Sequence, residues 1–201
     1  SYLVQKRALR GSSYVLECPL DNVNDTEIYV YSASQLKAIG DLTGLKVGYA
    51  EFSLATRLQS LKLGDSAESY SNPNLTELYL GNNRLLTTLD VRNCPNLTMA
   101  VDVSGCTGLE HAYFDGTAIT GLTLPNGGVL KTLHLPATVT NLTVRNQGGI
   151  TDFSMPSYGA ITTLRVENSP AIPAKDILSA MAANSRVRLL GVNWSFDTAA
   201  D

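Results

Sequence analysis

The sequence predicts a mainly β solenoid, a chain wound into stacked coils with a short strand on each side of every coil. Three observations predict it. An apolar triplet recurs, spaced apolar, two others, apolar, one other, apolar, from residue 58 to residue 166. Its copies follow one another at a mean step of 10.75 residues, eight steps over the 86 residues from Leu78 to Leu164. Three residues past each triplet stands a small or polar residue. A repeat of this kind is the first thing to look for, because it fixes the whole architecture.

The copies run in order as Leu58-Leu61-Leu63, Leu75-Leu78-Leu80, Leu86-Leu89-Val91, Leu109-Ala112-Phe114, Ile119-Leu122-Leu124, Leu130-Leu133-Leu135, Val139-Leu142-Val144, Ile150-Phe153-Met155 and Ile161-Leu164-Val166. One copy, Leu97-Val101-Val103, carries an extra residue before its second position. The last two apolar positions of each copy are one residue apart, the period of a strand whose ends point inward and whose middle residue points out. A coil of about 11 residues could not enclose three Leu-sized side chains at normal packing density. Two steps per coil, about 21.5 residues, enclose a workable core. Neighbouring triplets therefore belong to opposite walls.

The residues three past each strand are Ser66, Asn83, Cys94, Cys106, Thr117, Gly127, Thr138, Gln147, Tyr158 and Ser169. Here the chain turns off the sheet, and a polar side chain satisfies backbone groups that a buried turn leaves without partners. Cysteine fits the slot by size. Cys94 and Cys106 lie half a coil apart and are expected to remain unbonded. With Cys18 they make an odd set without CxxC spacing, so neither a disulfide framework nor a zinc site is expected.

The stretch NLTELYLGNNRLLTTLDVRNCPNLT, residues 74–98, resembles a leucine-rich repeat of the bacterial, internalin-like kind. LxxLxLxxN is matched by Leu75, Leu78, Leu80 and Asn83, and LDVxxC by Leu89, Asp90, Val91 and Cys94. VDVSGCTGLE (101–110) is similar, while LPNGG (124–128) and LPATV (135–139) depart from the pattern. The resemblance covers about 58–169 and implies a leucine-rich-repeat solenoid. As a whole the chain also resembles repeat segments of large proteins of gut bacteria and their tailed phages.

End coils of a solenoid expose apolar edges and need caps. The expected layout is an N-terminal cap and degenerate first coil over 1–57, repeats over 58–169, and a C-terminal cap over 170–201, in one continuous unit. In the first segment, Tyr14–Leu16 and Glu27–Tyr31 read as strands. SASQLKAIG (32–40) reads as a short helix capped by Ser32 or Ser34 and ended by Gly40. DLTGLKVGYAEF (41–52) reads as the first coil, and GDSAESYSNP (64–73) as a loop. At the other end, Pro173 opens an expected helix, AKDILSAMAAN, followed by a strand in VRLLGVNW (187–194). The opening lacks a Met and the apolar core of a signal peptide, and the tail SFDTAAD reads as a linker, so the chain is expected to be a segment of something longer.

Charged residues make up 16% and the net charge is −3, which argues against a nucleic-acid binder needing a basic field. No apolar run approaches a membrane span. Ser, Thr and Asn together number 50, so the surface is wetted by hydroxyls and amides. No P-loop, GxGxxG, HExxH or GxSxG motif occurs. No catalytic residue, metal or cofactor is expected.

If strands alternate walls, one face carries Thr88, Asp90, Arg92, His111, Tyr113, Asp115, Thr132, His134, Asp152 and Ser154. The other carries Glu77, Tyr79, Asp102, Ser104, Thr123, Asn141, Thr143, Arg145, Arg165 and Glu167. Two histidines near Asp90 and Asp115 have the residue types for a metal ion or a shared proton. Repeat geometry alone, however, places polar residues on strand faces. Aromatics scattered among polar groups suit recognition, which makes Asp90, Arg92, His111, Tyr113, Asp115, His134, Tyr79, Asp102, Arg145 and Arg165 the candidate binding residues. The expected function is non-enzymatic recognition, adhesion or scaffolding within an extracellular bacterial surface protein or a phage virion (tail) protein. Its partner would be a protein or glycan on a cell surface, or a neighbouring domain of the same particle. The alternative is a purely structural spacer, and more remotely an enzyme.

Overall fold

The computed structural model describes residues 27–29, 38–39, 48–66, 72–173, 176, 177, 179 and 188–189. They form a parallel β-solenoid with two walls. The first wall is a six-stranded sheet of β2 (Ala38–Ile39), β4 (Ser60–Lys62), β6 (Thr88–Asp90), β8 (His111–Tyr113), β10 (Thr132–His134) and β12 (Asp152–Ser154). The second wall is split. Its first part is β1 (Glu27–Tyr29), β3 (Tyr49–Glu51) and β5 (Glu77–Tyr79); its second is β7 (Val101–Asp102), β9 (Gly121–Thr123), β11 (Asn141–Arg145), β13 (Thr163–Glu167) and β14 (Arg188–Leu189). Every pairing is parallel, and all join alternate strands of the sequence except the last, β13 with β14, which are consecutive.

Leu78 and Leu89 thus stand on opposite walls, as the half-step spacing predicts. On the first wall Leu61, Leu89, Ala112, Leu133 and Phe153 are in register at intervals of 28, 23, 21 and 20 residues. The wide first interval includes the stretch 64–73 expected as a loop, of which 67–71 lie outside the described residues. On the second wall Val101, Leu122, Leu142 and Leu164 are in register at intervals of 21, 20 and 22. Inward side chains from both walls form one apolar cluster, with Phe52, Phe114 and a file of leucines fully buried. Between adjacent coils the approach to a strand is tied by threonine as well as backbone. Thr76, Thr87, Thr140 and Thr162 each donate Oγ1–H and N–H to one carbonyl of the coil before, on Gly48, Gln59, Thr120 and Thr140 respectively.

The polar turn slot holds for part of the expected set. Asn83, Cys94, Cys106, Thr117, Gln147 and Ser169 are buried. Asn83 Nδ2 donates to the carbonyls of Phe52 (3.0 Å) and Leu80 (2.8 Å). Gln147 Nε2 donates to Pro125 O at 2.9 Å, and Thr117 Oγ1 to Phe114 O at 2.7 Å. One assignment needs correction. Ser66 is exposed; Asn72 is buried instead and donates to Leu63 O. Thr138 is exposed but still serves the slot, its Oγ1 donating to Ile119 O at 2.7 Å.

Cys94 and Cys106 are free and buried. Desolvation pushes both thiols up to about 11, which keeps them protonated and unreactive. In a Cys18→Ser background, Ellman's reagent at pH 8 is expected to titrate neither thiol in the native chain and both in denaturant. A fast native reaction at either would show that the slot is open.

The flanks differ from expectation at one place. Ala38–Ile39, read as helix, is strand β2, paired with Ser60–Leu61. The free edge of β4 offers parallel backbone partners, and a short run with a modest helix signal yields to them. The expected strands at Glu27–Tyr29 and Arg188–Leu189 are present. Of the expected C-terminal helix, Asp176, Ile177 and Ser179 have helical backbone, and Ile177 N–H donates to Pro173 O at 3.1 Å. The rest of that helix, Tyr14–Leu16 and Cys18 lie outside the described residues.

Candidate functional site

Because the middle residue of each first-wall strand points in and its two neighbours point out, side chains from successive coils stand in straight rows. On the first wall one row is Thr88, His111, Thr132 and Asp152, and the next is Asp90, Tyr113, His134 and Ser154. Arg92 and Asp115 follow at the turns. These residues tie to one another across coils. Arg92 holds Asp90 through Nε (3.0 Å to Oδ1) and a second guanidinium nitrogen (2.5 Å to Oδ2), with Asp90 buried. The guanidinium of Arg92 lies 4.6 Å over the Tyr113 ring, a cation–π contact. Tyr113 meets His134 edge-on at 5.2 Å and runs nearly parallel to His111 at 6.5 Å. His134 Nδ1 lies 3.1 Å from Asp115 Oδ2, and its Nε2 lies 3.1 Å from Asp152 Oδ2. His111 Nδ1 is 3.1 Å from Thr132 Oγ1.

Six of the predicted residues, Asp90, Arg92, His111, Tyr113, Asp115 and His134, therefore form one contiguous patch. The other four are elsewhere. Arg145 and Arg165, on the second wall, each give an Nε–H to Glu167 at 2.7 Å, one to each carboxylate oxygen. The Arg145 hydrogen bond first, and that of Arg165 next, hold the Glu167 carboxyl below its ordinary range. Tyr79 and Asp102 are on that same wall, near the split. Tyr79 donates its hydroxyl proton to Glu77 at 2.8 Å, which raises the phenol, and Asp102 accepts Ser104 N–H at 2.8 Å.

Both described thiols are inside the core, away from the patch. Among the described residues no group of three His, Cys, Asp or Glu side chains is placed to hold a metal ion, and no helix is long and apolar enough to cross a membrane. What the patch offers is a rigid set of charges, hydrogen-bonding groups and one aromatic ring. No protein-family model, curated protein or solved structure matches the chain.

Asp152 and Glu167 bind the predicted residues in place, and both were legible as face residues from alternation alone. Their clamping roles were not, because these depend on which rotamers meet across a coil. The split of the second wall beside Tyr79 and Asp102 was signalled only by the extra residue in the 97–103 copy.

Proposed function

We propose that this chain is a non-enzymatic recognition module, a leucine-rich-repeat-like segment of a larger extracellular bacterial surface protein or phage tail protein, presenting a flat wall to a protein or glycan. One observation carries this reading. Arg92, Tyr113 and His134 are immobilised by one another and by Asp90, Asp115 and Asp152 while still reaching solvent. Side chains ordered before contact lose less entropy on binding, and Arg and Tyr are the residues that most often dominate an interface. Low charge and a surface rich in hydroxyls and amides suit work outside a cell.

The test is binding of the purified chain to arrayed glycans and to intact bacterial and host cells. The recognition reading expects retention that falls at least tenfold in Tyr113→Ala and Arg92→Ala, with the thermal melt of Tyr113→Ala within a few degrees of the parent. No retention on any of these surfaces favours a structural spacer, whose polar rows serve solubility; retention indifferent to both changes rules out this patch as the contact.

A further inference from the structure

The second wall is interrupted between β5 and β7, which do not pair. The cause is in the sequence. Every regular copy has two residues between its first and second apolar positions, whereas Leu97 and Val101 are separated by Thr98, Met99 and Ala100. The chain bulges before β7, and Leu78 N–H, which points along the sheet towards the next coil, meets Met99 Sδ at 3.3 Å. A recess of about 450 Å³ opens at the break, within the size range of small-ligand sites.

Its lining is amphipathic. Tyr79 supplies a ring 38% exposed, held by its hydroxyl bond to Glu77 and by Tyr49 at 5.4 Å between centroids. Around it stand Ser53, Asn82 and Ser104, whose side chains make no hydrogen bond to another described residue, together with Met99 and Asp102. Gly105 closes the floor; a Cβ there would fall 2.5 Å from Asn82 Oδ1, so the coils approach too closely for any other residue. No Lys, Arg or His lines the recess. A phosphate, sulfate or carboxylate would find no counter-charge. A cation would find one carboxylate, already engaged by Ser104 N–H. An added peptide strand would find Leu78 N–H occupied and the other edge of β7 taken by β9. A flat ligand with C–H groups on one face and uncharged hydroxyls at its rim matches the aromatic platform and the free hydroxyl and amide groups.

We propose that the recess between β5 and β7 binds a neutral saccharide unit stacked on Tyr79 and hydrogen-bonded by Ser53, Asn82, Asp102 and Ser104. This rests on the recognition reading and locates its glycan contact. The experiment is an array of neutral oligosaccharides of one to four hexose, deoxyhexose or N-acetylhexosamine units, with sialylated and sulfated counterparts, followed by calorimetric titration of the best neutral hit. Binding should fall at least tenfold in Tyr79→Ala and in Ala100→Trp, which fills the recess from an exposed position, and should survive in Tyr79→Phe. Ala100→Trp and Ser104→Phe keep the test sound if Tyr79→Ala does not fold. The proposal is overturned if no neutral glycan binds, if sialylated or sulfated glycans bind better, or if binding persists in Tyr79→Ala and Ala100→Trp. Neutral-glycan binding lost in Tyr113→Ala but kept in Tyr79→Ala removes the recess and leaves recognition standing; cell retention governed by Arg92 and Tyr113 without glycan binding does the same.

Discussion

Phe114→Ala is expected to lower the unfolding free energy by about 3–5 kcal/mol, the range for truncating a buried aromatic. Phe114 is fully buried where the chain leaves β8. Its N–H donates to His134 O on the next coil, so the side chain sits in the ladder's interior and its loss leaves a void flanked by two coils. Coils held on both sides by backbone bonds collapse poorly into such a void, which places the cost high in the range. For a chain of this size each kcal/mol is worth roughly 2–4 °C of melting temperature, so urea or thermal unfolding resolves it easily. Phe114→Leu should recover most of the loss, because it restores volume. A Phe114→Ala protein as stable as the parent would mean that the two walls do not share one core.

Asn83→Ala is expected to cost about 1–3 kcal/mol through a different mechanism. The amide of Asn83 satisfies two buried carbonyls, those of Phe52 and Leu80, on two successive coils. Alanine leaves Leu80 O without that donor while Phe52 O keeps Ala55 N–H at 2.9 Å, and one orphaned buried group costs about 1–3 kcal/mol. The slot itself supplies the graded control. Cys94, in the equivalent place on the first wall, directs its thiol to Leu63 O and Arg92 O at 3.9 and 3.7 Å. Asn83→Cys should therefore be milder than Asn83→Ala, since a thiol is a weak donor and alanine none. Equal melts for the two variants would show that the slot is filled for volume alone.

The alternation of walls was readable from the chain because two periods coincide. The period of two inside each triplet says strand, and the half-coil step says which wall. Leu78 and Leu89, the rows built on His111 and Tyr113, and the unbonded cysteines all follow from that. Readings failed where a residue's role is set by something other than repeat position. Ser66 has the right spacing but is exposed, and Asn72 fills the slot instead. Ala38 and Ile39 have a mild helical signal that the open edge of β4 overrides. The Arg92–Tyr113–His134 cluster was legible as a set of neighbours but not as a network, since rotamers decide contacts and the repeat says nothing of rotamers.

The break between β5 and β7 also sets how the molecule bears load. On the opposite side β4, β6 and β8 run past the same level without interruption. The stack is thus bound by a full ladder along one flank and, at that level, by packing, the thioether contact and side-chain bonds at the corners, Asn96 Nδ2 to Pro73 O and Cys106 with the Asn83 backbone, along the other. Tension applied along the coil axis will part the weaker flank first, with the intact flank acting as its pivot, so the spiral yields at one sequence-determined joint.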